Sequence, residues 1–248
     1  MVLTYHNIGS GPGFNTVAES SLEEQLQYIR SRYQVLSVEE YVNHIFKYGT
    51  AKQNTVLISF DDAYTSYVER ALPVLTKMNL RSVLFICTGS IGKSNEWDSP
   101  DNRFSIINEE TIKLLSENSL ITIGAHTESH RSLTLLGEKD LKDEMTKPKE
   151  KLEKLTGKPV DFLAYPYGQL HLNVNSKVKV AAYEAGYKAA FSTNFSIDNS
   201  RSDIWALNRI DVTGDDDIET FKKKLSRYNY FSVKQKVKNV YSFLKTII

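Results

Sequence analysis

The sequence predicts an α/β fold in which repeated βα units surround a parallel sheet. Three observations carry that expectation. Short runs rich in Val, Ile, Leu and Phe alternate with longer stretches of helical period. Several of those runs end in polar, acidic or glycine-containing turns. The 248 residues, 41% hydrophobic and 25% charged, suffice for one large soluble domain with a sizeable core.

Taken in order, the apolar runs near 2–6, 55–60, 82–87, 120–125, 161–165, 187–192 and 207–212 read as seven strands. Ser21 with Glu24, and Ser37 with Glu40, have capping-box spacing and predict helix starts. Leu22, Leu26 and Ile29 then recur at helical spacing, as do Leu141, Met145 and Leu152 within 138–156, so both sets are expected in the core. The Lys/Glu run from Lys147 to Lys154 reads as a solvated face. Gly9–Asn15, Gly89–Arg103 and Asn194–Asp203 are expected to be irregular. Residues 1–230 are expected to form one domain, with 231–248 a C-terminal amphipathic helix docked on it.

Lys and Arg total 31 against 30 Asp and Glu, a net charge of +1, so no global field favours nucleic acid. The single cysteine, Cys87, lies in an apolar run and is expected to be an inert buried thiol. No stretch is long and apolar enough to span a membrane, and the start at Met1 has no secretion signal. The chain as written is therefore expected in the cytoplasm and as a monomer, with a longer exported precursor left open.

Chemistry-bearing residues gather at the ends of runs, and in a parallel βα array those ends share one rim. Val56-Leu57-Ile58-Ser59-Phe60 leads into Asp61-Asp62. Adjacent carboxylates at a buried strand end repel unless a cation or a shared proton compensates. Neighbouring side chains point apart, so one can ligate a metal while the other faces water; a plain turn is the competing reading. Ile121-Thr122-Ile123-Gly124-Ala125 leads into His126-Thr127-Glu128-Ser129-His130. Imidazoles at i and i+4 are expected on one face of a helical turn, close enough to share zinc or a neighbouring divalent ion. One carboxylate, two imidazoles and open positions describe a catalytic metal site rather than a closed structural one. A third run, Asp161-Phe162-Leu163-Ala164-Tyr165, meets Pro166-Tyr167-Gly168, a turn able to aim a backbone N–H at an oxyanion and to set tyrosines beside a sugar.

These three motifs, in this order, resemble the polysaccharide deacetylase family, the NodB-homology group of carbohydrate esterase family 4. The resemblance spans roughly residues 2–225 and includes Gly186-Tyr187-Lys188-Ala189-Ala190-Phe191-Ser192. It implies a distorted (β/α)7 barrel, a divalent metal, zinc first with Co2+, Ni2+, Fe2+ or Mn2+ as substitutes, and a glycan or oligosaccharide substrate. Residue by residue, it implies Asp62, His126 and His130 as metal ligands, Asp61 as general base and Tyr167 as the backbone donor to the oxyanion. The implied reaction removes the N-acetyl group of an N-acetylhexosamine unit, N-acetylglucosamine foremost, and releases acetate.

The chain departs from the commonest family pattern twice. No histidine follows His171, whereas relatives carry a late Leu-x-x-His element supplying the general acid. The start, Leu3-Thr4-Tyr5-His6-Asn7-Ile8, instead resembles the permuted poly-N-acetylglucosamine deacetylase subgroup, which makes His6 the expected acid. Ala164 stands where many relatives have an arginine that orients the catalytic aspartate, and Arg209 is the candidate substitute. Asp203-Ile204-Trp205 suggests a substrate contact, but packing is the expectation for Trp205. His44 and His171 match no motif and read as structural or solvated. Two alternatives remain at this stage: hydrolysis of another amide or imide, and a non-catalytic carbohydrate-binding or scaffolding protein on the same fold. The intact Asp62, His126, His130 set and Asp61 count against both.

Overall fold

A computed structural model describes residues 1–10 and 14–226 of the chain. The helix expected over 231–248 lies outside the described residues. The described chain runs β1 (Val2–Tyr5), β2 (Asn7–Ile8), β3 (Thr16–Val17), α1 (Glu19–Arg32), β4 (Gln34–Val35), α2 (Val38–Tyr48) and β5 (Thr55–Phe60). It continues through α3 (Leu72–Met78), β6 (Ser82–Ile86), α4 (Glu109–Ser116), β7 (Ile121–Ala125), α5 (Glu138–Thr156), β8 (Phe162–Ala164), α6 (Ser176–Glu184), β9 (Ala189–Phe191), β10 (Ile210–Asp211) and α7 (Ile218–Leu225).

Seven strands pair in parallel in the order β10-β1-β5-β6-β7-β8-β9. These are the seven runs expected from sequence, trimmed by a residue or more at most ends. The curled sheet is joined back on itself by the segment 207–211. Leu207 bridges Phe191 of β9, and Ile210 and Asp211 pair with Leu3 and Thr4 of β1. Splitting one strand between two neighbours distorts the barrel at that seam. β4 pairs only with the start of β5, and the short β2–β3 pair is a separate feature that the sequence pattern did not announce.

Alternation along the strands separates two apolar layers. Leu3, Tyr5, Ile58, Phe60, Leu84, Ile86, Ile123 and Leu163 pack outward against helices, meeting Leu22, Leu26 and Ile29 of α1 and Leu141, Met145 and Leu152 of α5. The other set, Val2, Leu57, Val83, Phe85, Phe162, Ala164, Ala189, Phe191 and Leu207, fills the interior together with Val38, Tyr41, Val42 and Ile45 of α2. Helix α2 thus plugs the amino-terminal mouth, and its Glu39 accepts a hydrogen bond from Thr122 at the start of β7. Ser37 and Glu40 form the expected capping box on this helix. The box expected at Ser21 is absent: α1 begins at Glu19 after Ala18, which places Ser21 inside the first turn, where its hydroxyl caps nothing.

Above the apolar layer the interior turns polar. The Thr4 and Ser59 hydroxyls are 3.1 Å apart, and Arg209, fully buried, lies over the Phe85 ring at 5.9 Å. Gly124 makes room for that ring, since a Cβ there would come within 2.5 Å of Phe85 Cδ1 and 3.2 Å of the Phe162 carbonyl. Gly124→Ala is therefore expected to destabilise the fold by about 1–3 kcal/mol through overpacking, measurable by urea denaturation. An unchanged midpoint would show that Phe85 is free to move aside.

Candidate active site

Strand β5 delivers both carboxylates. Asp61 N–H still donates to the Tyr5 carbonyl in register with the strand, but Asp62 (φ 68°) and Ala63 (φ 57°) are left-handed. Such backbone costs about 1–3 kcal/mol per non-glycine residue. Its effect here is to send the two side chains apart. Asp61 enters the barrel, where Arg209 grips it through two parallel bonds, Nη1 to Oδ1 and Nη2 to Oδ2, each 2.8 Å. Arg209 Nε donates to the Ser192 carbonyl at 2.8 Å, which fixes the fork in place. Burial pushes the Asp61 carboxyl up, but the Arg209 charge and hydrogen bonds, helped by the nearby imidazoles, outweigh it and hold the group down at about 2. Asp61 is thus an ionised buried carboxylate, and its partner is Arg209, the residue put forward as the substitute for an arginine at Ala164.

Asp62 turns to the histidines. His126 Nε2 and His130 Nε2 each lie 3.5 Å from Asp62 Oδ1, and one donor atom from each of the three lies within 4.8 Å of the others. The geometry between the histidines is not the helical turn expected from their spacing. Thr127 (φ 62°) and His130 (φ 55°) are left-handed, and residues 126–130 form an irregular turn after β7. His126 Nδ1 is 2.8 Å from the Ala164 carbonyl, which can only accept, so the proton is assigned to Nδ1 and Nε2 presents a lone pair to Asp62. Burial, with the Asp62 charge adding to it, pushes the Tyr64 hydroxyl pKa up, and Asp62 Oδ1 is buried without a hydrogen-bond partner. Burial lowers the His130 pKa to about 4 against the pull of Asp62, so this imidazole is neutral at ordinary pH. Asp62 Oδ1 and the two Nε2 atoms converge on one buried point, where a cation would satisfy all three together. A carboxylate and two imidazoles suit a borderline divalent ion, so the donor set fits the metal.

Aromatic rings enclose the trio. Trp97 stacks on His130 with centroids 4.1 Å apart and planes 13° off parallel, and Tyr167 meets the same ring edge-on at 4.9 Å. Tyr167 is left-handed (φ 59°) and 48% exposed, and its carbonyl accepts from Thr193 Oγ1. Gly168 follows at φ 58°, where a Cβ would approach Thr193 N to 2.7 Å, so only glycine fits this turn.

His6 leaves the end of β1 half-buried, with Nδ1 buried and unpartnered. It is an electrostatic neighbour of Asp61, Asp98, Asp211 and His130, which places it at the same mouth as Asp62, His126 and His130. Asp211, beside Thr4 in the β1–β10 pairing, also has an unpartnered buried oxygen, and burial raises its pKa against the opposing effect of His6. The structure therefore gathers all six expected residues, Asp61, Asp62, His126, His130, Tyr167 and His6. Sequence reasoning missed Tyr64, Trp97, Glu144 and Asp211. Of these, Trp97 sits in the irregular stretch after β6, where a loop at a strand's carboxyl end is a signal in itself.

The remaining candidates fall elsewhere. Trp205 packs edge-on to Tyr183 at 5.6 Å, and its carbonyl accepts from Tyr165. His44 packs against Tyr48 on α2, and His171 is exposed. Cys87 is buried and unoxidised, its thiol pushed up to about 12 chiefly by burial, with Asp62 adding to the effect.

Comparison with known proteins gives the family and the fold. Residues 48–190, more than half of the chain, match the polysaccharide deacetylase family. The chain is 25% identical over 228 residues to the poly-β-1,6-N-acetyl-D-glucosamine N-deacetylase of Staphylococcus aureus, spanning 88% of this chain and 74% of that protein. Among solved structures, IcaB from Ammonifex degensii superposes with a TM-score of 0.76 at 22% identity, over 91% of this chain and 96% of that one. The Streptococcus pyogenes deacetylase PplD, solved with acetate, superposes with a TM-score of 0.77 at 22% identity, over 91% and 97%. These superpositions establish the curled parallel (β/α) barrel. His6, Arg209 and Asp211 lie outside the matched stretch and are placed by the fold alone.

Arg209→Met is expected to cost about 3–5 kcal/mol of stability, because it leaves the Asp61 charge buried and unpaired. Combining it with Asp61→Asn should recover most of that loss. Urea denaturation of the two single variants and the double variant measures the coupling, and simple additivity would contradict the pair.

Proposed function

The chain belongs to the polysaccharide deacetylase family, and on that premise we propose that it removes N-acetyl groups from N-acetylglucosamine units of a glycan, with a divalent cation, zinc foremost, held by Asp62, His126 and His130. The observation that carries this reading is the pairing, at one mouth, of an ionised carboxylate on Arg209 with three converging ligand atoms that lack a counter-charge. The likeness to a relative named for poly-β-1,6-N-acetyl-D-glucosamine supports the sugar class.

The residues divide the work as follows. When bound, the cation supplies Lewis acidity, polarising the acetamide carbonyl and acidifying water enough for a weakly basic carboxylate to take its proton. Asp61 accepts that proton as water adds to the carbonyl carbon, and Arg209 keeps its oxygens ionised and aimed. The backbone N–H of Tyr167 donates to the oxyanion that develops on the former carbonyl oxygen. His6 gives a proton to the departing nitrogen, the C–N bond breaks, and acetate and a free amine leave. Trp97 and Tyr167 wall the cleft beside the ligands and present apolar faces to a sugar ring. The amide or imide alternative and the non-catalytic one both sit poorly with a complete ligand trio beside a tethered base.

Acetate release from β-1,6-linked N-acetylglucosamine oligomers, assayed with added zinc, cobalt or nickel, tests this. Asp61→Asn and His6→Ala are each expected to lose about 10²–10⁴-fold in kcat. Robust turnover by Asp61→Asn would remove the base, unchanged turnover by His6→Ala would remove the acid, and no release by the metal-loaded wild type would overturn the deacetylase reading.

A further inference from the structure

Glu144 belongs to the middle of α5 and is 2% exposed. A charged side chain in a helix's core-facing stripe is rarely buried unless every oxygen is satisfied, and here every bond serves one short segment. Oε2 accepts from the backbone N–H groups of Glu128 at 3.0 Å and Ser129 at 2.9 Å. Oε1 accepts from the Ser129 hydroxyl and from Arg131 Nε and Nη2, at 3.2 and 3.1 Å for the guanidinium. All the donors fall between His126 and His130 or on the next residue.

The opposite side of that segment is held as well. The Glu128 carbonyl accepts from Gly89 N at 2.7 Å and from Cys87 Sγ at 3.3 Å, while Thr88 N donates to the Thr127 carbonyl at 3.1 Å. Thr88 Oγ1 donates to the Glu128 carboxylate. A Cβ at Gly89 would lie 2.5 Å from the Glu128 carbonyl, so the approach needs glycine. Lys151, two turns along α5 from Glu144, donates to the Thr88 carbonyl and ties the loop to the same helix. The 127–130 turn is thereby clamped between α5 and the loop after β6 while it carries left-handed Thr127 and His130. Local support for that conformation is slight: neither residue is glycine or asparagine, and within the turn His130 N donates to Thr127 Oγ1 at 3.3 Å.

We infer that Glu144 is a positioning residue for the metal centre: its carboxylate templates the 127–130 turn so that the His130 ring faces Asp62 before a cation arrives. The inference rests on the reading of Asp62, His126 and His130 as a cation site. An arrangement formed in advance spares the ion the cost of ordering the turn, so the benefit appears as affinity. Glu144→Gln keeps the size and one acceptor but turns an NH2 toward backbone donors; Glu144→Ala removes the template altogether.

The test is zinc affinity by chelator competition, on purified full-length chain at a temperature where every variant is folded. Leu152→Ala, a core change on the same helix at an apolar side chain that takes no part in the hydrogen bonds of the turn, serves as the stability control. Glu144→Gln is expected to weaken zinc binding about 10- to 100-fold, Glu144→Ala by more, and Leu152→Ala to lower Tm with its zinc Kd within about twofold of wild type. Glu144→Gln and wild type with equal Kd would overturn the inference while leaving the cation site standing. An equal loss of affinity in Leu152→Ala would reduce Glu144 to a stabilising contact. No zinc bound by wild type would overturn the cation site itself, an outcome distinct from the other two.

Discussion

Two carboxylates side by side at the end of a buried strand are the constraint on which the site depends. Asp61 and Asp62 are almost wholly buried, and neither can remain charged without a counter-charge of its own. The left-handed backbone at Asp62 and Ala63 resolves the conflict by splitting their directions. One is then answered by a guanidinium inside the barrel, and the other faces two imidazoles with which it could share a cation. On the proposed reading the same split makes the division of labour: the carboxylate neutralised by Arg209 serves as base, and the one left without a protein cation becomes the ligand.

That solution requires the barrel to close. Arg209 comes from the segment that bridges β9 at Leu207 and β1 at Ile210, so Asp61 is gripped only when the last strand has joined the first. The seam also carries Asp211 to the side of His6. Both ends of the described barrel thus converge on one mouth, where His6 and Arg209 meet from opposite ends of the described chain. Strain gathers there too. Among the described residues, eight non-glycine positions have positive φ; two are asparagines, and Asp62, Ala63, Thr127, His130 and Tyr167 all lie at this mouth. Such backbone persists because fixed surroundings hold it, here Glu144, the 87–89 loop and Thr193.

Much of this was legible in the sequence, for physical reasons that can be named. The strands were readable because a parallel sheet covered on both faces needs continuous apolar runs, as at Val56–Phe60 and Val83–Ile86. Asp61, Asp62, His126 and His130 were readable because charged or ligating residues abutting such runs have few structural uses. Arg209 was reachable only as the sole candidate for an absent partner at Ala164. The helical placing of His126 and His130 was wrong because spacing at i and i+4 says nothing about φ, and tertiary bonds from Glu144 override local preference. Glu144 itself was hidden in a Lys/Glu-rich helix whose exposed residues look the same on paper. Asp211 was silent because its place at the site arises from contacts across a long sequence separation. Ser21 misled because a serine three residues before a glutamate caps a helix only if the helix starts there.

The division between the adjacent aspartates is tested most directly by titrating the metal-free protein with cobalt(II) and following its visible absorption in wild type, Asp61→Asn and Asp62→Ala. The account predicts a single saturable site with an unchanged spectrum in wild type and Asp61→Asn, and loss of that spectrum in Asp62→Ala. Loss of the ion in Asp61→Asn, or its retention in Asp62→Ala, would contradict the assignment of ligand and base on which everything else rests.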